Sequence, residues 1–244
     1  MEHRFGLRLL ARLEICFMTS NDSNEPLMKK NDFPEPLDEA GLADTWASAW
    51  AELGRPVPLA LRLELQTAWR ETHRRYHDLR HLRECMALWV LWKEECERPG
   101  EVAIALWFHD AIHDPKESGN ELRSASWAAR ALVAGGVAAD AAQRVYELVM
   151  ATRHDAPAQG PDAELVVDID LAILGSPSAR FERYDQDIRK EYAWVPGFRF
   201  RHQRAHVLKG FLNRPQLYYR APARELLEQQ ARLNLSAAIS RLEQ

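Results

Sequence analysis

The segment Val102-Ala-Ile-Ala-Leu-Trp-Phe-His109-Asp110-Ala-Ile-His113-Asp114 places an imidazole and a carboxylate at the end of seven consecutive apolar residues. Such a run makes a helix buried on most sides. A carboxylate at its end loses its hydration, so it must be paired, protonated or bound to a metal. A capped helix end with a structural His–Asp contact would also satisfy these residues. The dipeptide alone decides little: His-Asp also occurs at 77–78, 113–114 and 154–155, against roughly half an occurrence from chance composition. Only His109-Asp110 has the apolar run in front of it. Upstream, Tyr76-His77-Asp78-Leu79-Arg80-His81-Leu82 opens a second apolar helix, and the spacing of four predicts His77 and His81 on one face. Downstream, Asp168 and Asp170 lie inside the apolar segment 165–174 with no Lys or Arg beside them. Two buried acids of this kind are most commonly compensated by a divalent cation. Taken jointly, a His, a His-Asp and a late Asp, each at an apolar helix, point to a metal site.

In this order, His81, His109-Asp110 and Asp170 resemble the HD superfamily of metal-dependent phosphohydrolases, named for the dipeptide. More closely, the chain resembles the branch described as predicted metal-dependent HD superfamily phosphohydrolases. It is carried by Arg75–His81, Trp107–Pro115, Asn120–Ala125, Ala151–His154, Asp168–Gly175, Ile188–Tyr192 and Ala231–Leu235, spanning nearly all of 38–242. The resemblance implies an all-α HD-domain helical bundle with His81, His109, Asp110 and Asp170 as ligands of one divalent cation, and Asp168 as the fallback for the last position. It implies hydrolysis of a phosphate ester, of a nucleotide or another small phosphorylated metabolite, by metal-activated water. The branch often carries Tyr where His113 stands, which weakens a catalytic role for His113. His154 is the candidate for a second metal or for acid–base work, and those two roles stay open.

Mixed imidazole and carboxylate donors suit Mn²⁺, Fe²⁺, Co²⁺, Ni²⁺ or Zn²⁺ better than Mg²⁺. A cation of this class acidifies water and polarises a phosphoryl oxygen, with Asp110 holding it and orienting the attacking water. Glu121 could take a proton or reach a second metal; equally, it is an acid in the first turn of a helix, where the macrodipole favours it. For the substrate's phosphate, Arg75 and Arg189 are preferred because they lie inside the matched stretches. Arg80, Arg83, Arg201 and Arg204 form helical rows that solvation alone explains. No Gly-rich phosphate loop, Gly-x-Ser-x-Gly elbow or dinucleotide fingerprint occurs. Two other readings are kept: an HD-type metal oxygenase or lyase, and a non-catalytic nucleotide-sensing module.

Helices must position these groups. Leu, Ala, Arg and Glu dominate, period-2 runs are scarce, and Gly and Pro fall between apolar-periodic segments. The pattern predicts helices over 38–53, 59–73, 78–97, 101–112, 119–134, 138–152, 162–174, 178–194, 198–213 and 222–242. The run 165–174 reads as a buried helix, with a strand as the alternative on composition. Residues 1–36 are polar and punctuated, as in Thr19–Pro26. They are expected to be a disordered tail, partly an over-extended start with Met18 or Met28 as later candidates, and one domain is expected over 37–244.

Of the 244 residues, 46% are hydrophobic and 28% charged, with 32 Lys+Arg against 36 Asp+Glu and a net charge of −4. These proportions suit a globular chain and argue against a general nucleic-acid binder. No stretch approaches about 18 uncharged apolar residues, so a membrane span is not expected. Cys85 and Cys96 on one helix would stand roughly 16 Å apart, too far to bridge. With Cys16 as an odd thiol, this cysteine usage suits a reducing cytoplasm. The expected partner is a small phosphorylated substrate, and a homo-oligomer is left open.

Overall fold

The computed structural model describes residues 33–244. Cys16, Met18, Met28 and the expected tail as far as residue 32 lie outside the described residues. The last residues assigned to that tail already touch the core: Phe33 packs against it, and Pro34 is buried.

The protein is all-α, and among the described residues every element is helical. The helices are α1 (Glu39–Glu52), α2 (Leu59–Ala68), α3 (Leu79–Leu91), α4 (Pro99–Phe108), α5 (Asn120–Ala134), α6 (Ala139–Ala151) and α7 (Pro161–Asp170). They continue as α8 (Ser178–Glu191), α9 (Gly197–Leu212), α10 (Ala221–Ala223) and α11 (Gln229–Leu242). A 3₁₀ turn, Leu171–Gly175, extends α7, and a π turn, Arg224–Glu228, joins α10 to α11. The 165–174 run is helical, as its length and surroundings imply. No helix among the described residues is long and apolar enough to cross a membrane.

Helix α4 is the axis of the core. Val102 to Phe108 are all fully buried, because an uninterrupted apolar run can be satisfied only by neighbours on every side. Trp46 of α1 meets Trp107 edge-on at 4.9 Å and Trp50 at 5.6 Å. Each such side chain removed from water contributes about 1.5–3 kcal/mol. At the other end of the fold, Gly175 admits a backbone contact: a Cβ there would lie 2.6 Å from the Leu227 carbonyl oxygen. Asn234 of α11 donates to the Leu174 and Ser176 carbonyls, 2.8 Å each, and fixes the 3₁₀ turn after α7.

Helices α2, α3 and α4 end earlier than their periodicity predicts. Helix α2 stops at Ala68 rather than 73, α3 at Leu91 rather than 97, so that Cys96 lies outside the helix that carries Cys85, and α4 at Phe108 rather than 112. Side-chain donors account for the ends of α2 and α4. Trp69 Nε1 donates to the Trp107 carbonyl at 3.0 Å, and the Arg74 guanidinium donates to the carbonyls of Asp110 (2.7 Å) and Ala111 (3.0 Å). Carbonyls left open at the end of a buried helix need such partners. Supplying them from the 69–78 segment turns the chain at His109-Asp110.

Candidate metal centre

Three helix ends converge at the end of α4. His109 caps α4, and its Nδ1 donates to the Leu106 carbonyl at 2.7 Å. A carbonyl can only accept, so this bond fixes the tautomer and leaves Nε2 facing inward with its lone pair. On α3, the Asp78 carboxylate accepts the backbone N–H groups of Arg80 (2.9 Å) and His81 (3.4 Å), an N-cap that sets His81 in the first turn. Tyr76 Oη lies 3.1 Å from His81 Nδ1, so His81 also turns Nε2 toward the cluster. Asp170 is the last residue of α7.

The two Nε2 atoms lie 3.1 Å apart. Asp170 Oδ1 is 3.4 Å from His81 Nε2 and 3.5 Å from His109 Nε2. Asp110 Oδ2 is 3.3 Å from His109 Nε2 and 4.0 Å from His81 Nε2. One donor atom from each of His81, His109, Asp110 and Asp170 lies within 4.8 Å of all the others, and both imidazoles are buried.

Electrostatics favour a positive charge at the centre. Burial alone would lower the His109 pKa, but the Asp110 and Asp170 carboxylates outweigh it and push it up to about 9. Burial likewise opposes the charge on Asp170, yet hydrogen bonds from His109, His154 and His81 hold its carboxyl well below the usual range. A proton on His109 offsets only one of the two half-buried negative charges of Asp110 and Asp170. A divalent cation offsets both, and two imidazole nitrogens with two carboxylate oxygens are a ligand set that such ions accept. The donor set therefore fits a divalent metal, and its chemistry does not single out one element.

The two late acids lie on different sides of α7. Asp170 enters the cluster. Asp168, fully buried, turns away and accepts the backbone N–H groups of Tyr219 (2.8 Å) and Arg220 (2.7 Å); two residues apart on a helix means nearly opposite faces. His154 reaches the edge of the cluster, its Nε2 3.0 Å from Asp170 Oδ2, from a left-handed backbone with φ 57°. A non-glycine residue in that conformation costs of order 1–3 kcal/mol.

Glu121, half-buried in the first turn of α5, lies outside the cluster and makes no hydrogen bond or ion pair among the described residues. Arg75 is exposed and uses its backbone N–H on Glu191. The Arg189 guanidinium lies over Phe200 and donates to the Tyr192 and Val195 carbonyls, where it braces the turn after α8. Cys85 is buried with its sulfur 3.7 Å from both nitrogens of His81, a position against the ring rather than along a lone pair.

His77 precedes α3 instead of sharing a helical face with His81, and belongs to a second cluster. Its Nδ1 lies 2.7 Å from Glu191 Oε2, and His113 Nε2 lies 3.5 Å from the same oxygen. Glu191 Oε1 accepts the N–H groups of Arg75, Tyr76 and His77 at 2.7–3.0 Å. Burial opposes the His77 charge, but Glu191 and Asp110 raise its pKa. Glu191 and Arg74 escape sequence reasoning, although Glu191 leaves a trace. With Phe181, Tyr184 and Ile188 it completes a buried stripe on α8, and an acid in such a stripe needs a partner. Comparison with protein-family models, with curated proteins and with solved structures finds no match for this chain.

Proposed function

We propose that the chain is a metal-dependent phosphohydrolase of the HD type, acting on a nucleotide or another small phosphorylated compound. The observation that carries this reading is the convergence of donor atoms from buried His81 and His109 and half-buried Asp110 and Asp170, on three helix ends, within 4.8 Å of one another. These four side chains would hold the cation. When bound, it supplies water acidified to near-neutral pKa and a polarised phosphoryl oxygen.

The remaining chemistry falls to the chain's own groups. Asp110, between the two clusters, orients the attacking water by accepting its hydrogen bond. His154 fixes the Asp170 carboxylate through Oδ2, so that Oδ1 stays turned to the cluster. His77, half-buried and with its pKa raised against burial by Glu191 and Asp110, gives the departing alkoxide its proton. Such proton transfer typically contributes 10²–10⁴-fold. Glu121 is too poorly tied to the site to be given a role.

The test is metal analysis on protein purified without chelators, followed by a phosphate-release screen across nucleotides and sugar phosphates, with and without dioxygen. Phosphate release that needs the metal and is indifferent to dioxygen supports the reading. Dioxygen-dependent turnover would make the protein an oxygenase, and tight nucleotide binding without turnover would make it a sensor. Asp110→Ala should lose metal and activity while keeping its helical circular dichroism. Full metal content in that variant refutes the ligand set.

A further inference from the structure

We propose that the cavity beside His154 is the second half of the substrate site, in which Arg214 receives a second phosphoryl group of a substrate whose first is cleaved at the His81–His109–Asp110–Asp170 cluster. This rests on the phosphohydrolase reading. It narrows the substrate class to compounds with two separated phosphoryl groups.

A cavity of about 650 Å³ opens between the turn 154–157 and the loop 214–219, a size within the range of ligand sites. His154 belongs to both places: it lines this cavity and binds Asp170 Oδ2. Its strained backbone therefore lies where cavity and metal cluster meet.

The far wall is held from beneath by charged side chains. Asp168 takes the N–H groups of Tyr219 and Arg220. Glu228 takes those of Leu217 (2.9 Å) and Tyr218 (3.4 Å). Arg232 donates to the carbonyls of Leu212 (3.2 Å), Arg214 (3.0 Å) and Pro215 (3.0 Å). Tyr219 Oη accepts the Ala158 N–H at 3.2 Å and ties this wall to the other. A loop with so many satisfied backbone groups is preorganised, and a preorganised cavity binds without first paying to order itself.

Within this wall Arg214 is the exception. Its guanidinium lies 4.7 Å above the Phe211 ring, and Phe211 in turn meets the His154 ring at 6.3 Å. It is half-buried, and among the described residues it has neither an ion pair nor a side-chain hydrogen bond. Its neighbours differ: Arg220 pairs with Glu95 and Arg232 with Glu228. The one carboxylate lining the cavity, Asp155, is taken by Arg153 at 2.8 Å. A partly desolvated guanidinium held flat on an aromatic ring, with its donors free, is a fork for an oxyanion. The three-oxygen face of a phosphoryl group fits that fork bidentately, and its charge complements a cavity with no free acid.

The experiment uses manganese-loaded full-length protein and calorimetric titration with methylphosphonate and with α,ω-alkylene bisphosphonates of increasing spacer length, which cannot be hydrolysed. The wild type should bind methylphosphonate, and one spacer length should gain at least tenfold over it. Arg214→Gln should lose that gain while keeping its methylphosphonate affinity and metal content. A flat spacer series, or a gain that survives Arg214→Gln, overturns the assignment with the phosphohydrolase reading intact. No binding of methylphosphonate overturns both. An equal gain from an ω-carboxyalkyl phosphonate overturns the phosphoryl assignment.

Discussion

Stripping the metal should change how the protein's stability depends on pH, and His109 sets the size of the change. In the metal-free fold its pKa is pushed up to about 9 from an ordinary 6.5. A folded pKa above the unfolded one gives stability that is complete below pH 6.5 and is lost as pH rises through 9. The difference is worth about 3 kcal/mol at 1.36 kcal/mol per pKa unit; the same pairing lowers Asp110 and Asp170 and is counted once. For a chain of this size that is a fall in Tm of about 6–12 °C. With manganese bound, His109 Nε2 carries no proton, so the contribution of His109 rises up to pH 6.5 and is level above it. The assay is thermal unfolding from pH 6 to 9.5 in chelator and in excess manganese, with His109→Gln to remove the titration. The chelated wild type should fall more steeply across this window than the loaded protein and the variant, which keep only the slope of His77, whose raised pKa is common to all three. Parallel curves for chelated and loaded protein would refute the placement of His109 Nε2 between the two carboxylates.

Three further outcomes follow from the geometry. Arg74→Met leaves the carbonyls of His77, Asp110 and Ala111 without their donor; at roughly 1–3 kcal/mol for each unsatisfied acceptor it should cost about 3–5 kcal/mol in urea unfolding and lower metal content. Glu191→Gln keeps an oxygen for the three N–H groups but loses the charge beside His77. Its kcat should drop about a hundredfold with metal content unchanged, and a loss of metal would show Glu191 to be structural instead. Asp170→Asn should empty the centre, whereas Asp168→Asn should keep a full complement of metal and loosen the 214–220 loop, read as faster amide exchange there.

The parts of this fold that the sequence discloses are those with a local cause. Val102–Phe108 leave a helix no exposed face, and Gly or Pro ends most segments, so helix identity and most bounds follow from neighbouring residues. The premature ends of α2 and α4 do not, because they depend on Trp69 and Arg74 reaching carbonyls about 37 residues away. The same division holds at the centre. His81, His109-Asp110 and the Asp168/Asp170 pair stand out as polar groups in apolar surroundings. Which of the two acids faces inward depends on the register of α7 against α3 and α4, and on Tyr219 and Arg220 arriving from far along the chain to claim Asp168. Arg75 and Arg189 attract attention by type and position, yet the buried guanidinium near the centre belongs to Arg74. His77 and His81 show how one boundary misleads: spacing puts them on one face, but α3 begins at Leu79, and Glu191 takes His77 to a cluster of its own.

The two clusters hold their protons for different reasons, and metal binding should tell them apart. His109 has its Nδ1 proton on the Leu106 carbonyl and needs Nε2 as a ligand, so a second proton cannot remain once a cation binds. His77 keeps its Nδ1 proton on Glu191 and is no ligand of the first cluster. At pH 7, well below the His109 value of about 9, each divalent ion should therefore displace close to one proton. The count follows from calorimetric metal titrations in buffers of different ionisation enthalpy, and it should fall toward zero above about pH 10 as His109 empties by itself. Two protons at pH 7 would mean that His77 discharges with His109 and that the clusters act as one acid. None would remove His109 Nε2 from the ligand set, since Asp110 and Asp170 hold a proton on that nitrogen at pH 7.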